Sequence, residues 1–169
     1  MAETGRPAIR HHGSRAALAA AVADLLAARL AALVAARGAA RIAVPGGTTP
    51  GPMLARLGAA ALPWERVTVT LTDERWVPPA SARSNQRLLG ETLFAGAAAA
   101  ARFLPLYGGT AEPAQGIGAV NAGLAAALPL DIAVLGMGAD MHTASLFPGA
   151  LGLAEALAPA APAAVAITA

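Results

Sequence analysis

The 169-residue chain has neither cysteine nor lysine. Without thiols it has no thiol nucleophile, no thiolate metal site and no disulfide framework, which fits a reducing compartment, and a cytoplasmic protein is expected. All twelve basic residues are arginine. That excludes a lysine Schiff base, a pyridoxal phosphate anchor and the lysine of a Walker-type phosphate loop. Charged residues make up only 13% and aromatic ones 4%, so any chemistry must come from His, Asp, Glu, Arg, hydroxyls and backbone. No cofactor anchor is evident.

What the chain does have is apolar residue in short runs. Hydrophobic residues reach 56%, punctuated by 18 Gly and 13 Pro, a pattern of one folded domain rather than of disorder or of two domains. Twelve positive charges face ten negative ones for a net charge of +2. No run of arginines forms a stripe, which argues against nucleic acid as a partner and for small anions. The Ala/Leu-rich segment 16–36 is interrupted by Asp24 and Arg29. It therefore reads as a helix of a soluble domain rather than a membrane span or secretory signal, which need a longer uncharged stretch. Oligomeric state leaves no signature.

Residues 1–13 are expected to be a flexible arm. His11 and His12 are adjacent there, so their side chains diverge, and a solvated tail is favoured over a metal site. Residues 14–169 are read as a single α/β domain. Ser14 is a fitting N-cap for a helix to Arg37, with Gly38 as its stop. Its larger residues Leu18, Val22, Leu25, Leu26 and Leu33 share an arc with Arg15, Arg29 and Arg37, so the buried face is not defined. Strands are expected at residues 41–44, 67–72, 103–107 and 130–135. Helices are expected through Met53, Leu54 and Leu57, and over 84–94 and 114–127. The alanine-rich stretch 95–101 reads as helix tail or loop. The stretch 158–166 reads as linker, frayed terminus or the lead-in to a strand at 165–168.

This alternation predicts an open, doubly wound, mostly parallel sheet with helices on both faces, a Rossmann-like α/β fold. Forward strands then end on one edge, where such folds bind ligands. Three polar segments directly follow strands. In Gly46-Gly47-Thr48-Thr49-Pro50 the glycines permit a tight turn and Pro50 suits the start of a helix, which together make an anion seat. Asp73-Glu74-Arg75-Trp76 places two carboxylates and a guanidinium at a strand end. In isolation it would read as a solvated turn; at this edge Arg75 suits a phosphate or a developing oxyanion, and Trp76 suits a pocket wall or the core. His142 is the sole histidine outside the arm and has Asp140, Thr143 and Ser145 around it, making it the best base available. Gly136-Met137-Gly138 lacks the third glycine of a dinucleotide fingerprint, and Ser145 lies outside a Gly-x-Ser-x-Gly elbow, which disfavours nicotinamide and serine-hydrolase chemistry.

Four segments, VPGGTTP at 44–50, LTDERWVP at 71–78, Ser84-Asn85, and LGMGADMHTASLFPG at 135–149, together resemble the signature segments of the 6-phosphogluconolactonases. That family lies within the larger group that includes the glucosamine-6-phosphate deaminases. The deaminase branch carries other segments where this chain has DERW and TASLF. The resemblance implies metal-free hydrolysis of 6-phosphoglucono-δ-lactone to 6-phosphogluconate, in the oxidative pentose phosphate route, without a cofactor. It implies that the loop Gly46, Gly47, Thr48 and Thr49, with Arg75, Ser84 and Asn85, holds the substrate and its phosphate. It implies His142 as acid/base, with Arg75, Asp73 and Asp140 completing the catalytic group. Which acid orients His142 or Arg75 stays open.

The chain departs from the family pattern at two places. Met141 stands where the family has glycine, so a position needing positive φ would be strained. Relatives also continue through a lysine-bearing strand and helix, so the chain is expected to represent the front two-thirds of the fold. The alternatives are a non-catalytic sugar-phosphate-binding module and an amino-sugar-phosphate isomerase or deaminase.

Overall fold

The computed structural model describes residues 8–169. Of the expected N-terminal arm, residues 1–7 lie outside the described residues, and residues 8–13 are exposed and belong to no helix or strand. Helix α1 (Arg15–Arg37) starts where the Ser14 hydroxyl accepts the Ala17 N–H at 3.1 Å. It stops at Gly38, which sits at φ 76° and donates its N–H to the Val34 carbonyl. Both ends are thus set by caps that the sequence spells out.

The buried line of α1 is Ala23, Leu26 and Leu30, flanked by the partly buried Ala19, Val22, Ala27, Leu33 and Val34. Leu18 and Leu25 each remain 45% exposed. Ala19, Ala23 and Ala27, four apart, share this face with Leu26 and Leu30, while Leu18 and Leu25 turn outward. By length and mean hydropathy (2.0 over 18 residues) α1 is long and apolar enough to cross a membrane. In the fold its inner face packs into the core, and Asp24 accepts two hydrogen bonds from Arg56 at 2.8 and 2.9 Å.

Strand β1 (Ala40–Val44) leads into α2 (Gly51–Gly58), and β2 (Val67–Leu71) into α3 (Asn85–Glu91). Strand β3 (Arg102–Leu104) precedes α4 (Pro113–Ala125), and β4 (Ile132–Ala133) precedes the single turn α5 (Leu153–Ala156). The sheet order is β3-β2-β1-β4, with every pairing parallel. Ile42, Val44, Val67, Val69 and Leu71 point to one face and join α1, α2 and α3 in the larger core, around the fully buried Leu30, Leu54, Leu57, Trp64, Leu89 and Leu93. Each such aliphatic side chain contributes about 1.5–3 kcal/mol of burial. The alternate residues Ala43, Thr70 and Ala133 face a cavity of about 440 Å³ beneath α4. A small core of Leu104, Val120, Leu124 and Ala127 lies on that side.

The doubly wound parallel sheet is as expected; several element lengths are not. The helix expected over 84–94 ends at Glu91 and continues as separate 3₁₀ turns, Leu93–Ala95 and Ala97–Ala100. At its end the Thr92 hydroxyl donates to the Leu88 carbonyl at 2.6 Å, a side-chain bond that competes with the helix ladder. The strand expected over 103–107 stops at Leu104, before Pro105, whose missing N–H cannot continue a ladder. The strand expected over 130–135 shrinks to Ile132–Ala133. Asp131 fastens it, accepting from the Arg41 backbone N–H and the Arg37 guanidinium, each at 2.8 Å. Residues 165–168 add no strand to the sheet. Thr168 instead pairs antiparallel with Leu151, and Ala164 is held by the Asn121 side chain.

Candidate functional site

The carboxyl ends of β1, β2 and β4 open onto one cavity of about 760 Å³. Parallel strands in register force this convergence: Val44 lies opposite Leu71, and Ala43 opposite Ala133. The loop after β1 supplies Gly46, Gly47, Thr48 and Thr49, and the turn after β2 supplies Asp73 and Arg75. Asn85 at the start of α3 and His142 from the loop after β4 complete the anticipated residues lining it. Gly47 is left-handed at φ 90°, and α2 begins just beyond, at Gly51. Backbone N–H groups and a helix N-terminus there suit an anion.

The turn after β2 is held from behind. The Glu74 carboxylate accepts from the backbone N–H groups of Arg75, Asn85 and Gln86 at 2.7–2.8 Å and from the Ser84 hydroxyl at 3.1 Å. It thereby satisfies otherwise orphaned donors at the start of α3 and places negative charge at the favourable end of that helix. Ser84 and Asn85 are 5% and 2% exposed. The Ser84 hydroxyl caps Arg87. The Asn85 amide donates to the Asp73 carbonyl at 2.9 Å, while its Oδ1 accepts from Arg75 Nη1 at 2.5 Å. A Cβ at Gly46 would collide with the Asn85 side chain, so glycine is required for this close approach. Asn85 therefore bolts the first loop to the second.

The loop after β4 is a tight turn in which the Gly138 N–H donates to the His142 carbonyl at 2.9 Å and the Met141 N–H to the Gly138 carbonyl at 3.0 Å. The imidazole lies over Gly138, where a Cβ would strike the ring. His142 Nδ1 donates to Asp140 Oδ1 at 2.5 Å, and the ring packs on Phe147 with centroids 4.4 Å apart. This hydrogen bond is the main reason the Asp140 carboxyl is held below its usual range, against the opposing effect of desolvation. Nε2 has no partner among the described residues. Met141 sits at φ 68° with its side chain 76% exposed, so the left-handed conformation is indeed imposed on a residue other than glycine, at a cost of about 1–2 kcal/mol.

Asp73 connects the two shores: its Oδ2 accepts from the Ser145 hydroxyl at 2.8 Å, 72 residues along the chain. Of the anticipated residues, Ser84 and Asp140 do not line the cavity and are hydrogen-bonded to Glu74 and His142 instead. Trp76 turns to the opposite face, where it lines the smaller cavity, packs edge-on against Tyr107 and donates to the Thr110 carbonyl at 2.9 Å. Sequence reasoning passed over Glu74 as an anchor, the Ser145 tie, and the wall formed by Arg15, Ala16, Leu18, Ala19 and Val22 of α1. The outward leucines and arginines of α1 were the available signal for that wall. No group of three or more His, Asp or Glu side chains poised to hold a metal ion occurs among the described residues.

Comparison with known proteins bears on this site. Residues 13–168 match the family model described as glucosamine-6-phosphate isomerases/6-phosphogluconolactonase. The 6-phosphogluconolactonase of Rhizobium meliloti is 53% identical over 148 residues, spanning 86% of this chain and 63% of its own length. That of Mesorhizobium japonicum is 52% identical over 122 residues, 69% of this chain and 50% of the relative. The crystal structure of a 6-phosphogluconolactonase from Shewanella baltica superimposes with a TM-score of 0.89 at 35% identity, covering 93% of this chain and 67% of that one. The chain thus spans about half to two-thirds of the length of these relatives. With the segments that carry the likeness gathered on one cavity, the conclusion is that this chain belongs to the glucosamine-6-phosphate isomerase/6-phosphogluconolactonase family.

Proposed function

We propose that the cavity binds 6-phosphoglucono-δ-lactone and hydrolyses it to 6-phosphogluconate, in the cytoplasmic oxidative pentose phosphate route. The observation that carries this reading is a histidine braced through Nδ1 by a carboxylate, with Nε2 unpartnered among the described residues, on the same cavity as a diglycine turn suited to an anion. Asp140 fixes the tautomer, so Nε2 is the basic nitrogen. Nε2 takes a proton from water as its oxygen adds to the lactone carbonyl carbon. Negative charge then gathers on the carbonyl oxygen, and the imidazolium returns the proton to the ring oxygen as the carbon–oxygen bond breaks. Positioned acid/base transfer of this kind contributes about 10²–10⁴ in rate.

Arg75, held by Asn85 through Nη1, directs its remaining N–H groups to the phosphate or to the developing oxyanion. Gly46, Gly47, Thr48 and Thr49 seat the phosphate. Ser84 and Asn85 serve as positioning residues, since their polar atoms are already paired within the protein. Asp73, tied to Ser145, aligns the two loops. The strained Met141 beside His142 favours one second reading, a module that retains the anion seat without turnover.

Purified protein should hydrolyse the lactone faster than the spontaneous rate, and His142→Ala should lower kcat by about 10²–10⁴. Equal rates for the two proteins would remove His142 from the mechanism. Calorimetric binding of 6-phosphogluconate without any hydrolysis would establish the module instead. For Arg75→Ala, a raised KM would assign Arg75 to phosphate and a lowered kcat to the transition state.

A further inference from the structure

We infer that Arg15, at the first turn of α1, is a second anion-gripping residue of the site and, with Arg75 on the same cavity, binds the phosphate of a sugar phosphate. The inference rests on the sugar-phosphate reading above and deepens it.

A phosphate monoester carries close to two negative charges at neutral pH, so a cavity selective for it needs more than one cation or a dense set of N–H donors. The chain has no lysine. Among the described residues lining the 760 Å³ cavity, the only arginines are Arg15 and Arg75. Arg75 is already committed in part, through Nη1, to Asn85 and to the Arg83 carbonyl. Arg15 makes no ion pair and no side-chain hydrogen bond among the described residues; the one acid of α1, Asp24, is taken by Arg56.

An independent observation comes from the helix itself. The first turn of α1 contains no acidic residue, and Arg15 puts a positive charge at the positive end of a 23-residue helix. That placement opposes the helix dipole. The α1 fold does not benefit from it, whereas an anion in the adjoining cavity does. The guanidinium fork can engage two phosphate oxygens at once, and Arg15 lines the same cavity as Gly46, Gly47, Thr48 and Thr49.

The test is calorimetric titration of the full chain and its Arg15→Ala, Arg15→Lys and Arg29→Ala variants with 6-phosphogluconate, with gluconate and with inorganic phosphate. Arg29 lies on α1, is exposed and does not line the cavity, so its variant controls for lost charge. Arg15→Ala should weaken 6-phosphogluconate and inorganic phosphate about tenfold or more, with gluconate unchanged. Arg15→Lys should recover part of the loss, and Arg29→Ala should match the unmodified chain. Equal affinity of Arg15→Ala and the unmodified chain for 6-phosphogluconate would overturn the inference while leaving the lactonase reading intact. So would an equal loss in Arg29→Ala, whereas no phosphate-dependent binding at all would overturn both the inference and the sugar-phosphate reading on which it rests. Arg15-dependent phosphate binding with no lactone hydrolysis would overturn the lactonase reading and uphold Arg15.

Discussion

The turn after β2 and the loop after β4 face the same cavity but are held in opposite ways. Behind the first, Glu74 collects four hydrogen bonds, Ser84 and Asn85 are buried, and the strand beneath is five residues long and packed into the larger core. Behind the second, β4 pairs through two residues, and both Met141 and Ala144 sit at positive φ. Leu135, Met137 and Met141 are more than half exposed. The turn after β2, with Asn85 packed against Gly46, is therefore fixed by burial and hydrogen bonding behind it. The His142 loop depends on one short strand, the Asp73–Ser145 bond and the Asp140–His142 pair.

The largest expected contrast comes from the buried bolt. Asn85→Ala removes the partner of Arg75 and of the Asp73 carbonyl and opens space beside Gly46; it should cost about 1–3 kcal/mol, read as a lowered midpoint in urea unfolding. If the variant unfolds like the unmodified chain, the seat is not held as described. Smaller and opposite in sign, Met141→Gly relieves the left-handed strain and should stabilise by about 1 kcal/mol, less whatever glycine adds to the entropy of the unfolded chain. A destabilised Met141→Gly would show that the loop is not under strain at this position.

The smallest effect is a pH dependence. The Asp140 carboxyl is depressed in the folded state, chiefly by the hydrogen bond from His142. A depressed carboxyl stabilises the fold above its unfolded-state range, and that contribution is lost as pH falls through its folded-state value. The stability difference between the unmodified chain and Asp140→Asn should therefore be largest near neutral pH and fade in acid. A difference that stays constant across this range would separate Asp140 from the pairing.

Local signals carried much of this into the sequence. Ser14 and Gly38 mark the ends of α1 through chemistry confined to one turn, and strand–helix alternation specifies a parallel sheet whose edge collects the loops. Met141 in place of glycine predicted strain that the backbone shows at φ 68°. What could not be read depends on side-chain direction after the chain has folded. Ser84 and Asn85 are polar residues beside a charged turn, and nothing local distinguishes a ligand contact from an internal bond. Asp140 and Asp73 were equal candidates to brace His142, and the choice followed from the turn at Gly138, which brings Asp140 within reach while Ser145 takes Asp73. The inner face of α1 was obscured because alanines, weak in any hydrophobic pattern, make up much of it beside Leu26 and Leu30.

The proposed hydrolysis requires one spatial relation, an anion seated on the diglycine loop with the substrate's reacting carbon at His142 Nε2. A crystal structure of the chain with 6-phosphogluconate measures it directly. Phosphate oxygens are expected on the N–H groups of the Gly46–Thr49 loop and the C1 carboxylate within hydrogen-bond reach of Nε2. Phosphate bound elsewhere, or a carboxylate pointing away from the imidazole, would contradict it.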